Sequence, residues 1–225
     1  MDTSKHTIEE SLKQCSKPTG DIGIEYGRNM NEYHKPLIKW GLSTFFDSRE
    51  LIDNVEILDA GCGAGLAINI MAETVSECNI TGIDYSDDMV NAARKFNKNL
   101  LESGRVTIHK SSVEKLPFDD NKFDVVTATE TIYFWPDLFE NVKEVYRTLK
   151  DDGSFVVINE DYYREGCELI PHCKAMIESD YAQLHDENEL LELFESTGFK
   201  DIKINAIPSK GWITVSGTKR INCKA

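Results

Sequence analysis

The sequence predicts an open α/β fold: a mostly parallel, seven-stranded sheet with helices on both faces and an antiparallel β-hairpin at its C-terminal end. Two observations carry this. From Val55 onward, apolar strand-like runs alternate with helix-like segments, and strands that are apolar nearly throughout and separated by helices form a parallel sheet covered on both faces. The last two β-like runs are separated only by "IPSKG", a hairpin-length connection that makes them antiparallel neighbours.

Residues 1–50 precede the first strand and contain one good helix, "KPLIKWGLSTFF", with Leu37, Ile38, Gly41, Leu42 and Phe45 on one stripe and Pro36 in its first turn. The first strand, "VEILDA", runs into the glycine-rich stretch "DAGCGAG" and the helix "GLAINIMAETV". "NITGID" is the second strand, followed by a helix over "SDDMVNAARKFNKNLLES". Ser86 caps that helix, Asp87 and Asp88 sit at the positive end of its dipole, and Gly104 follows its far end. "RVTIHKS", "FDVVTATE", "DLFENVKEVYRTLK" and "GSFVVINE" complete the alternating series. The stretch from Asp161 to His185 scatters Tyr, Cys and His without periodicity; it precedes the helix "DENELLELFESTGF" and the closing runs "DIKINAI" and "GWITVSGTK".

At 225 residues with 40 % hydrophobic content, the chain supports one substantial core. A formal charge of −14 repels a phosphate backbone, so no nucleic-acid partner is expected; the tail "KRINCKA" is the only basic cluster. No apolar run approaches the roughly 20 residues of a membrane helix, and the start "MDTSKHTIEES" lacks the order of a signal peptide, so a cytoplasmic protein without a membrane partner is expected. The six cysteines form no C-x-x-C pair and read as reduced packing residues, with no metal site expected.

The loop after the first strand is G-x-G-x-G (Gly61, Gly63, Gly65), with Asp59 before it. A dinucleotide loop wants G-x-G-x-x-G, and Leu66 stands where its third glycine would fall. Asp84 closes the second strand nineteen residues beyond Gly65, where a carboxylate accepts ribose hydroxyls. That identifies a ribose rather than a particular cofactor, and NAD stays open on this ground.

With these residues in hand, the chain from about Val55 to Thr218 resembles the class I S-adenosylmethionine-dependent methyltransferases, which have a Rossmann-like sheet. "ILDAGCGAG", "GIDYSDDMV", "SSVEKLPFDDNKFDVVTATE" and "EVYRTLKDDGSFVVINE" follow in the family's order. The resemblance implies S-adenosylmethionine as cofactor, S-adenosylhomocysteine as product, and a cofactor site at Asp59, Gly61, Cys62, Gly63, Gly65, Asp84, Tyr85, Met89, Ser112, Val113, Thr129 and Glu130. Asp84 would hold the ribose, and Tyr85 or Met89 would lie against the adenine. The family often has Asp before Ala in the adenine motif; here Ser112 precedes Val113, so a hydroxyl would replace the carboxylate.

The resemblance further divides the chain into an N-terminal helical cover, residues 1–50, and a methyltransferase domain, residues 51–225, with 161–185 as a variable lid. In open α/β sheets the ligand lies beyond the carboxyl ends of the strands, which places Thr129, Glu130, Tyr133 and Glu160 at the chemistry. Methyl transfer needs an aligned nucleophile, exclusion of water and, for some acceptors, a base. The candidates are His34, Tyr133 and Glu160, with Asn31 beside His34 on the pocket wall. The rings of "YFWPD" suit a cationic centre by cation–π attraction, although Trp135 also reads as a roof over the core. The substrate is expected to be a small molecule. No motif reveals the acceptor atom or the oligomeric state. An NAD-dependent oxidoreductase and a non-catalytic nucleoside-binding regulator are the alternatives; an arsenite trap at Cys167 and Cys173 lacks a third thiol in register.

Overall fold

The computed structural model describes residues 8–47, 54–164, 171–179 and 182–220. In chain order the elements are α1 (Ile8–Ser16), α2 (Gly20–Phe46), β1 (Val55–Ala60), α3 (Leu66–Thr74), β2 (Cys78–Asp84), α4 (Asp87–Phe96), α5 (Lys98–Glu102) and β3 (Val106–Lys110). There follow β4 (Phe123–Thr129), α6 (Leu138–Thr148), β5 (Leu149–Glu160), α7 (Pro171–Glu178), α8 (Glu187–Thr197), β6 (Phe199–Ile207) and β7 (Trp212–Lys219).

The sheet order is β3-β2-β1-β4-β5-β7-β6. β1 to β5 pair in parallel, whereas β7 lies antiparallel between β5 and β6, so the predicted hairpin is present and its first strand, β6, takes the edge. Side chains of one strand alternate between faces, and each face has its own core. Ile57 and Ile80 pack in one cluster with Ile68 and Met71 of α3; Leu58 and Val126 belong to the other, with Val142 and Val145 of α6 and Phe194 of α8. The strand order reverses between β1 and β4, and a crevice opens beyond the carboxyl ends there. No described helix is long and apolar enough to cross a membrane.

Helices α1 and α7 fall where no helix is expected, and two of the expected helices differ in their bounds. The first-turn assignment of Pro36 is wrong: α2 starts sixteen residues earlier, at Gly20, and Pro36 lies inside it. Pro36 faces solvent, where water can satisfy the Glu32 carbonyl that its missing N–H leaves unbonded, and the buried stripe Leu37, Ile38, Leu42, Phe45 and Phe46 supplies the stability. The second difference is a break at Asn97 in the segment read as one helix from Ser86 to Ser103. The buried Asn97 amide donates to the carbonyls of Ala93 (3.1 Å) and Gly65 (2.9 Å), so the side chain that interrupts the helix also ties α4 to the start of α3. Ser86 does cap α4, accepting the Met89 N–H, and Asp186 with Glu189 forms a reciprocal capping box on α8.

Candidate active site

A cavity of about 580 Å³ opens beyond the carboxyl ends of β1, β2, β4 and β5, with α2 along one wall. Its glycine floor is shaped by close approach. At Gly61 (φ 82°) a Cβ would stand 2.3 Å from the Thr131 hydroxyl oxygen, and at Gly63 (φ 51°) a Cβ would meet open space, leaving bare backbone facing the cavity. Asp84 holds this loop: Oδ2 accepts the Gly63 N–H (2.9 Å) and Oδ1 the Ser86 N–H (2.8 Å). Burial raises the Asp84 pKa, and these backbone donors work against the rise.

Asp59 is the more costly acid. It is fully buried, burial pushes its pKa up to about 7 with the nearby Asp84 charge adding to the rise, and only the Thr127 hydroxyl, donating to Oδ1 at 2.8 Å, opposes it. Its other oxygen, Oδ2, has no partner and the residue lines the cavity. An unsatisfied buried carboxylate oxygen on a cavity wall invites a donor from whatever the cavity holds.

Cys62, Tyr85, Met89, Ser112 and Val113 also line the cavity. Burial, with the charges of Asp84 and Asp59, keeps the Cys62 thiol well above its ordinary pKa, which makes it a packing group rather than a nucleophile. The Tyr85 hydroxyl donates to the Ser16 carbonyl, so its ring is fixed under the α1–α2 connection. Ser112 is already engaged, donating to Glu114 Oε2 at 2.9 Å. Gly65 is not on the wall; it packs against Asn97 and Ala93.

Across the cavity, β4, β5 and α2 bring together the three candidate proton-handling residues. Helix α2 presents Asn31, which donates to the Ala64 carbonyl (3.4 Å), and three residues later His34. His34 Nε2 stands 3.2 Å from Glu130 Oε2 and 3.6 Å from Glu160 Oε2. It sits in mid-helix, between two carboxylates. Burial works to lower the imidazole pKa, but the Glu130 and Glu160 carboxylates outweigh it and hold it above its ordinary value. Tyr133 donates its hydroxyl to Glu130 Oε2 (2.8 Å), the Glu160 N–H donates to Glu130 Oε1, and Trp212 Nε1 donates to Glu160 Oε1 (3.1 Å). Burial raises the Glu130 pKa despite the opposing His34 charge; for Glu160 the hydrogen bonds from His34 and Trp212 outweigh burial and lower it.

Glu130 has φ 55°, uncommon for a residue with a side chain. The turn it makes at the end of β4 returns its carboxylate toward His34 and Glu160. Trp135 serves both roles that its sequence suggests: it stacks on Phe155 (6.2 Å between ring centroids) in the core and lines the cavity.

Several of the contacts that join these residues carry no signal in the sequence. Glu130, expected among cofactor contacts, is the residue that His34, Tyr133 and the Glu160 N–H all reach. Trp212 reaches it from β7, 52 residues beyond Glu160, and Thr127 partners Asp59 across two strands. An even strand-end register, with Thr127 opposite Asp59, is the only hint available, and it requires the β1–β4 pairing to be known. Cys167 lies outside the described residues, as does the side chain of Cys173.

Residues 58–157 match a family described as a methyltransferase domain. The ubiquinone/menaquinone biosynthesis C-methyltransferase UbiE of Citrifermentans bemidjiense is 33 % identical over 103 residues, 45 % of this chain and 44 % of that protein. The chain thus covers less than half the length of the UbiE relatives it matches. Among solved structures, a SAM-dependent methyltransferase from Aquifex aeolicus aligns with TM-score 0.68 at 18 % identity, covering 87 % of this chain and 97 % of that one. Haemonchus contortus phosphoethanolamine N-methyltransferase 2, in complex with phosphomonomethylethanolamine and S-adenosylhomocysteine, aligns with TM-score 0.75 at 15 % identity, covering 97 % and 61 %.

Proposed function

We propose, from the match of residues 58–157 to a methyltransferase domain and the cavity described above, that this chain is a class I S-adenosylmethionine-dependent methyltransferase that transfers a methyl group from S-adenosylmethionine to a small-molecule acceptor. The observation that carries the reading is the unpartnered Oδ2 of Asp59 on the wall of a cavity floored by bare glycine backbone.

The residues present fit the cofactor's chemistry. Asp59 Oδ2 suits the ammonium of a methionine moiety, which would supply the missing donor and lower the cost of the buried charge. Asp84 suits the ribose: a carboxylate has about four lone-pair positions, and the N–H groups of Gly63, Tyr85 and Ser86 occupy three. Tyr85 and Met89 offer flat and apolar surface to the base, with Ser112 and Val113 at its edge. When bound, the cofactor supplies a methyl carbon activated by a positive sulfur. Leu66, buried at the start of α3, occupies the place of a dinucleotide loop's third glycine.

On the acceptor side the chain's task is to align the acceptor, exclude water and take up a proton where one is released. Residues 8–46 act as a cover: the α1–α2 connection is tied down by Tyr85 to the Ser16 carbonyl, Ser86 to the Pro18 carbonyl (2.5 Å) and the Gly20 N–H to Asp88 (2.8 Å). Proton uptake falls to Glu160 and Glu130, while His34 and Tyr133 fix their orientation. Residues 161–185, which include α7, border the acceptor end through Asp161, Met176 and Leu184.

Calorimetric titration with S-adenosylhomocysteine and NAD in parallel, on the parent and on Asp84→Ala, tests the cofactor. Micromolar binding of S-adenosylhomocysteine that collapses in the variant is expected; binding of NAD alone overturns the reading in favour of an oxidoreductase.

A further inference from the structure

The acceptor end of the cavity has a one-sided charge. Its ionisable lining consists of His34, Glu130, Glu160 and Asp161, and among the described residues no Lys or Arg lines any part of the cavity. Asp161 is paired with Arg164 at 3.8 Å. That leaves two carboxylates sharing one imidazole, all three on short contacts. When all three are ionised, the cluster carries one excess negative charge in a largely buried setting, which is unfavourable unless a cation joins it.

The surrounding surface suits such a cation. Tyr133, Phe134 and Trp135 line the same end, and Tyr133 is hydrogen-bonded to the cluster itself. Aromatic faces attract an ammonium, and an acid beside them gives it a charged hydrogen-bond partner. An independent observation points the same way: Thr129 Oγ1, on the residue before Glu130 and on the cavity wall, is buried and without a partner, so it has lone pairs to offer a donor. A phosphate or carboxylate group would meet the opposite environment: among the described lining residues the one basic group, His34, is already shared by two carboxylates, and there is no Lys or Arg to receive it.

We infer that the acceptor is a small amine, bound as its ammonium between the Glu130 and Glu160 carboxylates and the rings of Tyr133, Phe134 and Trp135. The inference rests on the methyl-transfer reading above. Its chemistry balances. The ammonium gives one proton to a carboxylate of the cluster, which frees the nitrogen lone pair. That pair forms the new N–C bond as the C–S bond breaks, its electrons passing to sulfur, and the positive charge moves from sulfur to nitrogen beside the same carboxylates. Glu130, whose pKa burial raises, is the better resident for that proton, and Glu160, whose pKa its hydrogen bonds lower, is the better partner for the product cation. His34, whose charged form the two carboxylates at 3.2 and 3.6 Å favour, is oriented to hold them rather than to take a proton from a hydroxyl acceptor.

The test is a panel of isosteric trios titrated calorimetrically into the protein saturated with S-adenosylhomocysteine at pH 7.5. Each trio pairs an arylalkyl or alkyl amine with its alcohol and its acid, for example 2-phenylethylamine, 2-phenylethanol and phenylacetate. At least one amine is expected to bind about tenfold or more tightly than its alcohol, from one charged hydrogen bond and ring contact, with the acid not binding. Glu160→Gln should abolish the preference while leaving S-adenosylhomocysteine affinity within about twofold, one buried charge having been removed. Glu130→Gln, measured in parallel, should reduce the preference too. If no amine outcompetes its alcohol, or the preference survives both substitutions, the amine assignment is overturned. Failure of S-adenosylhomocysteine itself to bind instead overturns the underlying methyl-transfer reading, so the two failures are distinguishable.

Discussion

On the β1–β2 side of the cavity, Asp84 is held by backbone N–H groups from its own motif and the neighbouring loop, whereas on the β4–β5 side Glu130 and Glu160 are held mainly by side chains from α2, the turn after β4, and β7. Backbone donors are fixed by chain geometry, so the first side can be encoded locally, as glycines and an acid at set spacings. Side-chain donors depend on how distant elements pack, so the second side is encoded nowhere in particular. The first side resembles a reusable holder, and on the reading proposed above the second is the side that would meet the acceptor.

The largest expected effect breaks the local side. Gly61→Ala places a methyl group 2.3 Å from the Thr131 hydroxyl oxygen at φ 82°. The left-handed backbone and the overpacking together cost about 2–4 kcal/mol. For a chain of this size that lowers the melting temperature on the order of 10 °C, with loss of S-adenosylhomocysteine binding. A variant that melts and binds like the parent would show that the loop has slack, and that its spacing rather than its tight contact with Thr131 holds the cofactor.

Asp59→Asn sharpens the comparison, because here fold and function pull apart. The folded pKa of about 7 lies above the ordinary 3.8, so the folded state holds its proton more tightly, and stability falls as pH rises from the unfolded value through 7. Asparagine removes that cost. The variant should be more stable than the parent at pH 8, by on the order of 2–4 kcal/mol, and lose the advantage below about pH 4. It should also bind S-adenosylhomocysteine roughly tenfold more weakly, having lost a charged acceptor. Thermal melts at the two pH values and one titration decide it; a variant less stable at pH 8 would mean that Oδ2 has a partner in solution.

These outcomes bear on what the sequence makes legible. The strands, β1 at Val55–Ala60 to the residue, and most helices follow from apolar periodicity and capping residues, because those signals are local. Asp59, Gly61, Gly63 and Asp84, which all line the cavity, are readable as candidates for the same reason. The start of α2 was not, because Pro36 is a strong first-turn signal, and only tertiary burial of the stripe beneath it tolerates the proline in mid-helix. His34, Tyr133 and Glu160 were nameable singly as candidate bases. Their meeting at Glu130 was not, since it depends on α2 crossing the ends of β4 and β5.

The assembled side is probed by titrating His34. Its folded pKa is raised, so the imidazolium's contribution to stability is complete below about pH 6.5, the ordinary imidazole value, and is lost as pH rises through the folded one. Glu130→Gln removes one of the two carboxylates responsible while burial still disfavours the charge. The His34 midpoint, followed by NMR of the imidazole, should therefore move down relative to the parent. An unchanged midpoint would assign the elevation to Glu160 alone and reduce the cluster to a simple pair.

The smallest expected effect lies where the two sides share a fastening. Ser86 accepts the Met89 N–H as the cap of α4 and donates its hydroxyl to the Pro18 carbonyl, so one side chain serves both the cofactor-side helix and the cover. Ser86→Ala removes both bonds, at about 1 kcal/mol for the cap, which at this chain length lowers the melting temperature by about 2–4 °C. Tyr85→Phe removes only the hydroxyl that reaches Ser16 and leaves the cap intact. If the fastening of the cover matters to the cofactor, both variants should weaken S-adenosylhomocysteine binding a few-fold while only Ser86→Ala melts lower. Weakened binding in Ser86→Ala alone would place the effect in the α4 cap, and the cover would then act on the acceptor side only, through Asn31 and His34.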